Sequence, residues 1–111
     1  MYNGLNAPFY QTVSTAGTNQ FNNNGYNGVN ISNRSGDNYA YTNNDVTQNI
    51  DLSGSSITGN VGYGVYAYNI ESYKYGSNPD QTVTLTDADL SGNGNGTYDA
   101  SNAYGTQTIN P

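Results

Sequence analysis

A chain of 111 residues is long enough for one domain, yet its leucine, isoleucine, valine and phenylalanine number only 17. That is too few for an ordinary compact core and lies where disorder competes with folding. With no cysteine and no histidine, the chain has no disulfide framework, no cysteine-held zinc and none of the commonest general base; a net charge of −6, with Arg34 and Lys74 the two cations, disfavours nucleic acid and anionic membrane surfaces as partners.

Four kinds of phrase alternate along the chain. A glycine followed by apolar, any residue and usually apolar opens the series at Gly4-Leu-Asn-Ala7. A glutamine then starts an extended segment, Gln11-Thr-Val-Ser-Thr, and further on Phe21 is followed by Asn24. Gly28-Val-Asn-Ile31 restarts the series and leads to paired tyrosines at Tyr39 and Tyr41. The next unit carries Gln48-Asn-Ile-Asp-Leu, Ile57 with Asn60, Gly64-Val-Tyr-Ala67, and Tyr73 with Tyr75. The last carries Gln81-Thr-Val-Thr-Leu, Leu90 with Asn93, a degraded Gly96-Thr-Tyr-Asp99, Tyr104, and finally Gln107-Thr-Ile-Asn.

Phrases that recur in fixed order mean stacked repeats, and with 12 tyrosines they argue against disorder. No segment has helical periodicity, and Asn, Gly, Thr and Tyr are modest or poor helix formers. Alternation along each phrase puts Val65 and Ala67 on one face with Tyr66 and Tyr68 on the other, and turns Val83 and Leu85 inward with Thr82, Thr84 and Thr86 outward. Stacking of successive units predicts three apolar columns. They are Val13, Ile50, Val83 and Ile109; Leu5, Val29 and Val65 with Thr97 as a weak fourth member; and Phe21, Ile57 and Leu90 at a corner. Asn24, Asn60 and Asn93 serve either as an inward asparagine ladder or simply as turn formers. Corners are expected at Asn22–Gly25, Gly59-Asn60 and Gly92–Gly96, and a projecting loop at Asn78-Pro79-Asp80. The expected fold is all-β, a parallel β-helix (β-solenoid) of about three to four turns without helix. It forms a single module over residues 1–111, with repeats opening near Gln11, Gln48, Gln81 and Gln107.

The stretch Asn49-Ile-Asp-Leu-Ser-Gly-Ser-Ser-Ile-Thr-Gly-Asn-Val-Gly-Tyr-Gly-Val-Tyr-Ala-Tyr-Asn69 resembles a turn of the right-handed parallel β-helix repeat proteins, and the likeness extends from Gly4 to Ile109. That family is found in bacterial surface adhesins, autotransporter passengers, phage tailspikes and polysaccharide lyases. The resemblance implies an elongated, secreted, surface-associated module. It carries over no catalytic residue, because the lyase branch relies on basic residues and calcium-binding aspartates, and here Arg34 is expected alone in a loop.

Candidate sites are few. Asp87 and Asp89 share a face if their segment stays extended, a geometry for calcium or acid–base work, but solvated loop acids are the expected reading. Asp51 and Asp99 are isolated, and no nucleophile, base and orienter assemble, so neither enzyme activity nor a metal or other cofactor is expected. Tyr39, Tyr41, Tyr66, Tyr68, Tyr73 and Tyr75 form a candidate aromatic surface, either for stacking on sugars or, preferably, for packing across turns and between neighbouring solenoids. The Thr82-Thr84-Thr86 array is not repeated at Asn49-Asp51, which counts against ice binding. Asn30, Asn33 and Asn95 fit the glycosylation acceptor pattern, which matters if the chain is exported through a glycosylating pathway.

No basic segment followed by an apolar one marks a signal peptide after Met1, and no apolar run is long enough to span a membrane. The sequence starts on the glycine phrase and stops on the glutamine phrase, with no capping segment expected at either end. The expected role is a structural subunit of an extracellular or cell-surface filament whose partner is itself. Gly4, Leu5, Ala7 and Val13 of one copy would meet Gln107 and Ile109 of another in a heterologous contact that does not close. The alternative is a fragment of a surface adhesin or carbohydrate-binding β-helix, with glycans as partners.

Overall fold

Alternating side chains and β-branched residues make strands wherever the glutamine and glycine phrases run. The computed structural model describes residues 2–3, 9–14, 19–35, 46–71, 79–103 and 105–111, and none of these is helical. Eight strands result: β1 (Tyr2–Asn3), β2 (Phe9–Ser14), β3 (Val29–Ser35), β4 (Val46–Asp51), β5 (Tyr63–Glu71), β6 (Pro79–Thr84), β7 (Gly96–Ala103) and β8 (Thr106–Asn110). They alternate between two parallel four-stranded sheets, the odd strands in the order β1-β3-β5-β7 and the even ones in the order β2-β4-β6-β8. A short third row runs beside them as parallel bridges from Gln20 to Ser56 to Asp89.

Register follows the repeats. In the even sheet Gln11, Gln48, Gln81 and Gln107 stand opposite one another, and so do Val13, Ile50, Val83 and Ile109. Partners in the glutamine column are separated in sequence by 37, 33 and 26 residues. The differences in length are absorbed in the connections and the register is kept. In the odd sheet Val29 faces Val65 and Ile31 faces Ala67, which in turn faces Ala100. Val29, Ile31, Val65 and Ala67 from one sheet join Ile50, Leu52, Val83 and Leu85 from the other and Ile57 from the third row in a single apolar cluster. Phe21 and Leu90 pack against it on either side of Ile57, so the corner column is present.

Bends recur in register too. Asn23 (φ 58°), Gly59 (φ 66°) and Gly92 (φ 68°) take the left-handed conformation at matching places, as do Gly54 (φ 68°) and Asp87 (φ 56°). Backbone bonds tie these bends together, Asn23 N to Thr58 O at 3.0 Å and Gly54 N to Thr86 O at 2.9 Å. The predicted corners at Asn22–Gly25, Gly59-Asn60 and Gly92–Gly96 are therefore correctly placed.

Three local expectations are corrected, and a fourth, the place of Leu5 in its column, lies with the rest of the first glycine phrase outside the described residues. Tyr2 and Asn3, just before that phrase, pair with Ser32 and Asn33. Val65 faces Tyr98 instead of Thr97, because Gly96 stands opposite Tyr63 and the last glycine phrase is shifted by one residue. Pro79 starts strand β6 in register with Val46, where the absence of an N–H costs the ladder least, so it does not begin a projecting loop. Arg34 belongs to strand β3, opposite Ile70.

Close approach of successive units fixes the glycines at 28 and 64. A Cβ on Gly64 would lie 2.6 Å from Thr97 O, 2.7 Å from Asn93 Nδ2 and 3.2 Å from Leu90 Cδ2, and backbone cannot yield as a flexible side chain would. Gly64→Ala is expected to lower stability by about 1–3 kcal/mol, measured by urea unfolding, since overpacking strains two units at once. An alanine variant as stable as the wild type would contradict the packing.

Candidate assembly interface

The alternation that sends Val13, Ile50, Val83 and Ile109 inward sends the glutamines two residues before them inward as well. Gln48 and Gln81 are 0% and 1% exposed, and burying a primary amide is favourable only when its hydrogen-bonding groups are matched. The matches run along the column: Gln48 Nε2 donates to Gln11 Oε1 at 2.7 Å, Gln81 to Gln48 at 2.8 Å, and Gln107 to Gln81 at 2.7 Å. Each donor nitrogen also reaches a carbonyl of the opposite sheet, Ser32 O at 3.2 Å, Tyr68 O at 3.1 Å and Ala67 O at 3.2 Å.

A second column answers it from the odd sheet. Asn33 Nδ2 donates to Asn69 Oδ1 at 2.8 Å, and Asn69 Nδ2 to Asn102 Oδ1 at 2.7 Å. These nitrogens cross to the even sheet, Asn33 reaching Val46 O at 3.2 Å and Asp80 O at 3.1 Å, Asn69 reaching Pro79 O at 2.8 Å and Thr106 O at 3.0 Å. Glutamines of one sheet and asparagines of the other thus stitch the two sheets into a polar seam. A third column closes the bends: Asn24 donates to Asn60 at 2.9 Å and Asn60 to Asn93 at 2.8 Å. Of the two readings open for these asparagines, the ladder is the one found. Asn33 Oδ1 is buried without a hydrogen-bond partner among the described residues.

Strands β7 and β8 form one edge of each sheet, and β1 and β2 the other. Gln107 and Ile109 on β8 are only half-buried, whereas their column mates Gln48, Gln81, Ile50 and Val83 are all within 1% of full burial. Tyr98 on β7 is 39% exposed at a position where Val65 is 1% exposed. Unpaired backbone groups along such edges are a template for another strand. Val13 in β2 is likewise half-buried.

Gly4, Leu5 and Ala7 of the expected interface, and Tyr39, Tyr41, Tyr73 and Tyr75 of the expected aromatic surface, lie outside the described residues. Tyr66 and Tyr68 are half-buried in columns with Asn30 and Asp99 and with Ser32 and Ser101, so no tyrosine stacks on tyrosine there. Among the described residues the prominent exposed tyrosines are Tyr10 and Tyr26, at 74% and 73%. Asn30 and Asn95 are exposed, but Asn33 is fully buried with its amide nitrogen engaged, which leaves no room for a glycan on it in this fold. Asp87 adopts a left-handed bend, so it does not share an extended face with Asp89. Asp51 and Asp89 instead accept from Ser53 and Ser91 two residues on, and these side-chain and backbone bonds hold both carboxyls below the ordinary value of 3.8. Among the described residues no group of three acids gathers to hold a metal, and no helix is long and apolar enough to cross a membrane.

Comparison with protein-family models, with curated proteins and with solved structures returns no match for this chain.

Proposed function

We propose that the two sheets and the third row are the faces of one coil, a parallel β-helix, and that the protein is a structural subunit of an extracellular filament. Copies join head-to-tail, β7 and β8 of one pairing with β1 and β2 of the next, so that each register column continues across the junction. The observation that carries this reading is the half-burial of Gln107 and Ile109 at an edge whose inner equivalents are sealed. One further rung would cover them. Such a contact is heterologous and does not close, which gives a fibre instead of a dimer. A cysteine-free surface with two cations, rich in Asn, Thr, Ser, Gly and Tyr, suits an exported polymer.

The purified chain is expected to form fibres that lengthen with protein concentration, read by sedimentation and negative-stain electron microscopy. Deleting residues 106–111 should abolish them. Fibres that survive the deletion would count against the mechanism.

The runner-up, a fragment of a surface adhesin or carbohydrate-binding β-helix, draws support from a hollow of about 260 Å³ against the even sheet, lined by Thr12, Val13, Asn49, Ile50, Asp51, Thr82 and Thr84. The surface it exposes is mostly apolar, which suits stacking against the apolar face of a sugar ring. A soluble monomer that binds glycans would favour this second reading.

A further inference from the structure

Within the glutamine column every amide has the same sense: nitrogen toward the preceding unit, oxygen toward the following one. The opposite sheet enforces it. Ser32 O, Tyr68 O and Ala67 O are acceptors only, and each sits beside the donor nitrogen, so turning an amide over would set oxygen against oxygen. The asparagine columns have the reverse sense, nitrogen toward the following unit. The two senses leave different groups at the two ends of the stack. Gln107 spends its nitrogen on Gln81 Oε1 and Ala67 O, which directs its Oε1 to the outer side of β8. Gln11 spends its Oε1 on Gln48, and its nitrogen falls to the outer side of β2.

Resting on the filament reading, we infer that the junction between copies is an amide lock. Gln11 of the incoming copy donates its Nε2 to Gln107 Oε1 of the copy before it, and this bond fixes the direction in which a copy can add. A copy presented the other way round would set acceptor against acceptor. The occupant the edge selects is therefore a second copy of this chain, entering by its β2 face.

Complementary variants test the lock. Gln11→Glu keeps the oxygen that accepts from Gln48 but loses the outward donor. Gln107→Lys keeps a donor for Gln81 Oε1 and Ala67 O but loses the outward acceptor. Each alone should fold, by circular dichroism, yet raise the critical concentration for assembly by roughly tenfold or more, the effect of one buried unmatched group. Mixed in equal amounts, they should restore fibres as an alternating copolymer, because the introduced ammonium meets the introduced carboxylate at one junction and native Gln107 meets native Gln11 at the next. If Q107K does not fold, adding Q11E to wild type provides the readout: it should shorten the fibres, since a Q11E copy can be joined at Gln107 but cannot join at position 11. Fibres from Q11E alone at the wild-type concentration, no rescue on mixing two folded variants, or wild-type fibres of unchanged length with Q11E present would overturn the lock and leave the filament standing. A wild-type chain that never joins would overturn both.

Discussion

Replacing Gln48 with leucine is expected to destabilise the protein by about 3–5 kcal/mol, although leucine is the more apolar residue and the site is fully buried. The substitution leaves Ser32 O and one N–H of Gln81 without partners inside the seam, and each buried orphan costs about 1–3 kcal/mol. It also removes the bond to Gln11. A conservative trim of the neighbouring apolar column, Ile50→Val, should cost only about 0.5–1.5 kcal/mol. The ordering is the point of the experiment, since an interior held chiefly by aliphatic burial would rank the two the other way. Urea unfolding followed by circular dichroism measures both. With the total stability of a domain near about 5–15 kcal/mol, the Gln48 variant is close to unfolding at room temperature. A Gln48→Leu protein at least as stable as wild type would show that the amide column contributes nothing net.

Asn69→Asp is expected to do still more harm at neutral pH while changing almost no volume. Asn69 Nδ2 faces three oxygens, Asn102 Oδ1, Pro79 O and Thr106 O, so a carboxylate there keeps the donor Asn33 Nδ2 at one oxygen but sets its other oxygen against acceptors only, at a residue with no solvent exposure. Burial and those oxygens would push the introduced carboxyl well above its unfolded value of about 3.9. The native state then binds the proton more tightly than the unfolded chain. Stability therefore falls as pH rises above about 4 and levels off only above the raised folded-state value. Loss of about 3–5 kcal/mol or more at pH 7, with partial recovery near pH 4, is the expected outcome in thermal scans. A variant whose stability does not change with pH across that range would contradict the seam.

The all-β, parallel arrangement and much of its register were legible in the sequence, because they are written in repetition. Val13, Ile50, Val83 and Ile109 recur after the same glutamine, and the structure aligns them as expected. The glutamines themselves were the missed feature. Their spacing of two from those aliphatics already placed them indoors, but glutamine is ordinarily a surface residue, and that habit hides the signal. Asn33, Asn69 and Asn102 were harder still. In a chain so rich in asparagine, three more carry no distinguishing mark until the parallel register aligns them. The slip at Gly96 has a plain cause. Matching on glycine identity put Thr97 opposite Val65, whereas backbone pairing puts Tyr98 there, and a ring of that size is tolerated because β7 is an edge strand. The left-handed bend at Asp87 breaks the extended segment on which a face shared with Asp89 depended, and both residues are exposed acids, as the reading of them as solvated loop acids expects.

The unequal lengths of the units, 37, 33 and 26 residues, have a consequence for how such a sequence can change over time. Insertions and deletions between strands leave the inner amides and aliphatics where they were, so foreign peptides could be grafted into the connections while the interior stays the same. Variation can thus accumulate on the periphery, away from the buried columns, under little constraint from folding.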